Sequence, residues 1–129
     1  MAGLLVDLEN YIINLGLATA DGVDIYRDYL PDTPDAVITL YEYSGEPFAN
    51  GVDGMLRMIQ VLVRAKSYAG ARSLSWSLYN AFHTPSDYIH TLGGKEALIR
   101  VRSTPLKMLA DETSRVTFTF NMGVTTQLD

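Results

Sequence analysis

The residues most able to do chemistry in this chain are few and loosely arranged. His83 and His90 stand on either side of Pro85. Two imidazoles can ligate zinc, but no HExxH pattern and no acidic cluster at ligand spacing accompanies this pair. Asp21, Asp24, Asp28, Asp32 and Asp35 crowd one segment. Calcium would need their oxygens in a compact loop of EF-hand spacing, which Pro31, Pro34 and the intervening apolar residues interrupt. A hydrolase would need two carboxyls set across a substrate, a relation that closeness in sequence does not supply. Serines and threonines are numerous, yet GxSxG is absent and neither histidine stands in a nucleophile context. The expectation is no catalytic residue, no metal and no cofactor. The aspartates are read as solvated loop or cap carboxylates, His83 as the end of a helix and His90 as a strand residue.

The stretch IQVLVRAKSYAGAR, residues 59–72, passes from strand character through a charged corner into helix character. A phosphate loop would need several glycines before a helix N-terminus, commonly followed by Lys and Ser or Thr. Here the one glycine, Gly70, falls inside the helix pattern, so the stretch is read as a strand-to-helix turn. Ser67 caps the helix, and Gly70 permits close contact between helix and sheet.

The chain has 129 residues, 47% apolar and 19% charged, with 10 basic against 15 acidic residues and a formal charge of -5. That size suits one domain, residues 1–129. The charged fraction lies below the roughly 25% usual for globular chains, which predicts an uncharged surface, part of it meant for other subunits or solvated by Tyr, Thr and Ser. Net negative charge disfavours a phosphate backbone as partner, so no direct nucleic acid binding is expected. No run approaches the roughly 20 apolar residues that cross a bilayer, so no membrane partner is expected. The opening MAGLLVDLENYIINLGLA lacks a basic leader and carries Asp7 and Glu9, unlike a secretory signal. The absence of cysteine removes disulfides and thiolate chemistry, and fits a reducing compartment.

The elements follow from periodicity. Leu4, Leu5, Leu8, Tyr11, Ile12 and Leu15 share one side of a first helix that Gly16 stops. Residues 18–36 read as a connector with a short extended piece at Val23 to Tyr26. Ala36 to Tyr43 and Met55 to Ala65 alternate as strands, the second apolar on both faces near its centre. Tyr68, Ala71, Leu74, Ser75, Leu78, Tyr79 and Phe82 mark a second helix, with Trp76 off its main stripe. Tyr88 to Leu92, Glu96 to Thr104 and Arg115 to Thr126 are extended, with Gly123 as a bulge or a stop in the last. This order predicts an α+β fold, a mostly antiparallel sheet of about four strands with two helices packed on one face. Trp76 is either an interface anchor or a domain-edge packing residue. Arg100 and Arg102 share a strand face, with Arg115 near them, and either pair with acidic loops of a neighbouring subunit or are solvated. Arg72, with Arg64 and Lys66, has the same two options.

Three segments carry a family resemblance: LPDTPDAVITLYEYSGEP, MIQVLVRAKSYAGARSLSWSLYNAF and PLKMLADETSRVTFTFNMGV. Together they resemble small tailed-phage proteins known as minor capsid or tail terminator proteins of long-tailed, non-contractile, siphovirus-type phages. The likeness lies in a proline and aspartate lead-in to a strand, a Q-x-x-x-R strand running into an alanine-rich helix, and an acidic turn with arginine before a closing strand. It spans about Leu4 to Val124. Members often carry Gly-Gly after the first strand, where this chain has Ser44-Gly45-Glu46-Pro47. The resemblance implies a structural, non-enzymatic virion protein: a ring subunit, typically hexameric when assembled and monomeric when free. Such a ring sits at the head-proximal end of the tail, stops tube growth, and contacts the tail tube protein and a head completion protein. Before assembly the subunit would be in the host cytoplasm. Gln60 and Arg64 fall in the motif strand, and Asp111, Arg115 and Asn121 in the closing motif, as residues that fix the fold or a subunit contact. A head completion or connector-associated role in the same particle is the alternative. A small enzyme or ligand-binding domain using Asp24, His83 or His90 is a more distant one.

Overall fold

The computed structural model describes residues 3–47, 55–83, 89–108 and 114–126. Helix α1 covers Leu4–Asn14, and strand β1 Ile25–Arg27, β2 Val37–Pro47 and β3 Met55–Ala65 follow. Helix α2 is Tyr68–Phe82, and the chain closes with β4 Ile89–Leu92, β5 Lys95–Val101, β6 Leu106–Lys107 and β7 Val116–Thr126.

The helices begin and end where local chemistry dictates. Ser67 is extended and its hydroxyl accepts the Gly70 N–H at 3.0 Å, satisfying one of the unpaired amides of the first turn of α2. A Cβ on Gly70 would stand 3.0 Å from that hydroxyl and 3.8 Å from Ala65 Cβ, so this glycine makes room chiefly for the cap. Helix α1 ends in a Schellman turn: Gly16, at φ +79°, donates to Ile13, and Leu17 donates back to Ile12.

The expected sheet of about four antiparallel strands is overturned. A mixed sheet of seven strands runs β1-β2-β3-β7-β5-β4, with β6 also on β7, and curls into a half-barrel. The extended pieces expected at Val23 to Tyr26 and Tyr88 to Leu92 prove to be the sheet strands β1 and β4, and β6 was not expected at all; the three are only three, four and two residues long. Segments that short hold too few alternations to display a period of two. β1 pairs parallel with β2, Ile25 opposite Ile38, whereas the other pairs are antiparallel. A register shift between Glu42 and Ser44 marks a bulge in β2, which adds twist and bend.

Gly123 neither stops β7 nor bulges it. The pairing with β3 runs unbroken from Val116 opposite Ala65 to Thr126 opposite Met55. A Cβ at Gly123 would lie 3.0 Å from Arg102 Nε and 3.1 Å from Leu56 Cδ1, so the glycine leaves space for Arg102 to cross the sheet.

Alternation sorts the side chains into two layers. Ile38 and Leu40 of β2, Ile59, Val61 and Val63 of β3, Phe120, Met122 and Val124 of β7 and Ile99 of β5 form one buried cluster. Leu4, Leu8 and Ile12 of α1 and Leu78 and Phe82 of α2 close over it. Each such side chain contributes about 1.5–3 kcal/mol on burial. The opposite, outer face carries Val37, Thr39, Leu62 and Arg64 at one end, buried, and Leu56, Met58, Gln60 and Leu98 at the other, half-buried.

Candidate assembly surfaces

At the buried end of the outer face, two arginines hold the proline-aspartate segment. Arg64, 3% exposed, extends Nη2 to the carbonyls of Pro31 at 2.7 Å, Asp32 at 3.3 Å and Pro34 at 2.8 Å, and Nε to Asp35 O at 3.2 Å. Arg115, at the start of β7, donates to the Asp32 carbonyl and reaches the Asp32 and Asp35 carboxylates at 3.3 and 3.6 Å. Arg64 lies opposite Thr117, two positions beyond Arg115, so the β3–β7 register brings both guanidinia to one loop. Charged donors on several carbonyls make a strong clamp. It fixes residues 31–35 and lets the chain return from β1 into a parallel β2.

The open end of the same face gathers four more of the predicted residues. Gln60 and Asn121 are Cα partners, and Gln60 Nε2 donates to Thr119 Oγ1 at 3.1 Å. Arg100 pairs with Gly123 across β5 and β7, and the Arg102 guanidinium lies over that same glycine. Asn121 is tied on both sides of its backbone: its carbonyl accepts from Arg102 N at 2.7 Å, and its N–H donates to Ser103 Oγ at 3.0 Å. Leu106, 67% exposed, is on β6 opposite Thr119, level with Leu62 and so between the two ends of the face.

Arg72 and Trp76 are apart from both groups, on the solvent side of α2. The Arg72 guanidinium lies 5.6 Å from the centre of the half-buried Trp76 ring, which meets Tyr79 edge-on at 5.1 Å. A shallow groove here is lined by Ala69, Arg72, Ser73, Trp76, Ser77 and Asn80. Asp111 lies outside the described residues.

The residues weighed for chemistry do not converge. Asp24, just before β1 at one sheet edge, accepts the Thr19 and Ala20 N–H groups at 2.9 and 3.2 Å. His90, on β4 at the other edge, is buried against Phe82 and Tyr11, with Nε2 3.3 Å from Ala81 O. His83 stacks on Tyr79 at 5.0 Å. Among the described residues no group of three His, Asp or Glu side chains is placed to hold a metal ion, and no helix is long and apolar enough to cross a membrane.

A buried carboxyl whose enclosure the sequence reading missed is on α1 itself. Glu9 is 2% exposed, its Oε1 2.7 Å from Arg27 Nε, while its Oε2 has no donor. Burial pushes its carboxyl up to about 7, reinforced by the hydrogen bond and charge of Asp21 and opposed by Arg27. The Asp21 carboxyl is held below its usual range, first by the hydrogen bond from Glu9. The pair is satisfied when Glu9 carries the proton and Asp21 accepts it. The signal lay in the pattern: Glu9 follows Leu5 by four and precedes Ile12 by three, a carboxyl in an apolar stripe.

The fold is a small mixed sheet backed by two helices, with the predicted polar side chains on separate surfaces. The chain belongs to the bacteriophage tail terminator family, whose model matches residues 11–128. It is a structural component of the phage tail. No curated protein matches it.

Proposed function

We propose that this chain is the terminator subunit of a siphovirus-type particle, assembling as a hexameric ring on the head-proximal end of the tail tube. The ring stops tube growth and offers its far surface to a head completion protein. The observation that carries this reading is family membership across residues 11–128. The half-buried Leu56, Met58 and Leu98 and the exposed Leu106 support it, since apolar side chains left outside the folded core suit a chain that completes its burial in an assembly. A ring subunit needs two unlike lateral patches that meet head to tail, and an asymmetric mixed sheet has unlike edges.

The test is deletion of this chain from the phage, with electron microscopy of the particles. The expected outcome is tails of unregulated length without heads, restored to uniform length and head joining by the purified protein. Antibody label should mark the head-proximal tip of isolated tails. Label on isolated heads would favour the head completion role, and normal head-joined tails without the protein would refute both.

A further inference from the structure

Resting on the ring reading, we propose that neighbouring subunits meet through two specific patches: the Tyr29 surface beside β1 on one copy and the Arg102 surface of β5 and β6 on the next. The occupant of each patch is a second copy of this chain.

The first patch is an exposed aromatic side chain with two exposed aspartates near it in the chain. Tyr29 is 59% exposed although its ring meets Tyr26 edge-on at 6.1 Å. It stands between exposed Asp28 and Asp32, and the Asp32 side chain is 93% exposed. The Arg64 and Arg115 clamp fixes the backbone that carries Asp32, so little ordering entropy is lost on docking. One Asp32 oxygen is 3.3 Å from Arg115, and the rest of this exposed carboxylate faces outward.

The second patch is opposite in charge, with arginines at its centre and a leucine at either end. Along β7 the half-buried Leu98 is level with Thr125, Arg100 with Gly123 and Arg102 with Asn121, and Leu106, 67% exposed, is level with Thr119, so the two arginines lie between the leucines. Glu96 is set off at the start of β5. Arginine is enriched in protein interfaces, and the exposed Leu106 next to Arg102 adds apolar surface to bury. In a chain of net charge -5, an arginine face has its best complement in the chain's own aspartate edge.

Position makes the pair productive. The two patches belong to β1 and to β5, which the sheet order separates by β2, β3 and β7. At about 4.8 Å per strand they lie at most roughly 19 Å apart along the sheet. Unlike patches on opposite sides give a heterologous contact, which closes into a ring when the rotation per subunit allows.

Because the chain has no cysteine, any disulfide between its copies must use the introduced thiols. Tyr29→Cys and Leu106→Cys replace highly exposed side chains and leave the core intact. Bound to isolated tail tubes and mildly oxidised, a chain carrying both substitutions should give a ladder of cross-linked oligomers on a non-reducing gel. Either single variant alone should give none, and the two mixed should give a heterodimer. Arg102→Glu should reduce cross-linking about tenfold. Native mass measurement of the tube-bound protein separates the two ways of failing. A closed oligomer without the ladder, or single variants that cross-link as readily as the mixture, overturns these patches and leaves the ring standing. No closed oligomer overturns the ring reading and this interface with it.

Discussion

Replacing Glu9 by glutamine should remove a titration that changes the protein's stability between pH 5 and 8. In the native chain the Glu9 carboxyl is raised from 4.5 to about 7, because burial disfavours the ion and Asp21 beside it accepts a hydrogen bond and repels a second charge. A carboxyl whose folded value is raised holds its proton more tightly in the folded state than in the unfolded one. The stability it confers is therefore fully present below about 4.5 and is lost as pH rises through about 7. At 1.36 kcal/mol per unit, the loss between pH 5 and 8 is about 2–3 kcal/mol. Glutamine retains an N–H for Asp21 and an oxygen for Arg27 but has no charge to desolvate. The assay is urea unfolding of both proteins at pH 5, 6, 7 and 8, comparing wild type minus variant so that other titrations cancel. The difference should fall by about 2–3 kcal/mol toward pH 8, leaving the variant the more stable at the alkaline end. Asp21, lowered by the same pair, titrates below this window and does not blur it. A difference that stays flat, or rises with pH, would show that the Arg27 contact keeps Glu9 ionised and would refute the reasoning.

Three further substitutions follow from the geometry. Arg64→Ala removes the donors to four carbonyls between Pro31 and Asp35, and should cost about 3–5 kcal/mol in urea unfolding; a loss under about 1 kcal/mol would mean that the segment holds itself. Ser67→Ala deletes the cap of α2 and should cost about 1 kcal/mol, with Ser67→Asp restoring most of it in thermal unfolding. Gly123→Ala puts a methyl 3.0 Å from Arg102 Nε, and because a flexible side chain can yield, stability should fall by less than about 1 kcal/mol. The Arg102 Nε–H resonance should move in that variant, and an unmoved resonance would place Arg102 elsewhere.

Periodicity was legible wherever an element was long enough to repeat it. Met55 to Ala65 and the stripe from Tyr68 to Phe82 emerge with those bounds, and Ser67 and Gly16 punctuate the helices as their chemistry requires. What escaped was short or nonlocal. Leu106 and Lys107 belong to the sheet only because Thr119 and Phe118 lie beside them, a fact absent from two residues read alone. The parallel pairing of Ile25 with Ile38 depends on how residues 28–36 return, and that return is held by side chains from β3 and β7. Local sequence cannot show a pairing whose cause lies in another strand.

The arginines show the same limit at the level of single residues. Alternation puts Gln60, Leu62 and Arg64 on one face of β3, yet Gln60 is half-buried and Arg64 is almost wholly enclosed. The difference is the loop 31–35, which covers one end of the face and stops short of the other. Arg115 goes with the covered end, so its charge is used within the subunit. Arg102 goes with the open end, where a glycine on the neighbouring strand gives it a seat and Leu106 stands exposed beside it. A residue type and a strand face specify what a side chain can bind. Whether the partner comes from the same chain is decided by which part of the face the chain itself covers, and for Arg102 that part was left open.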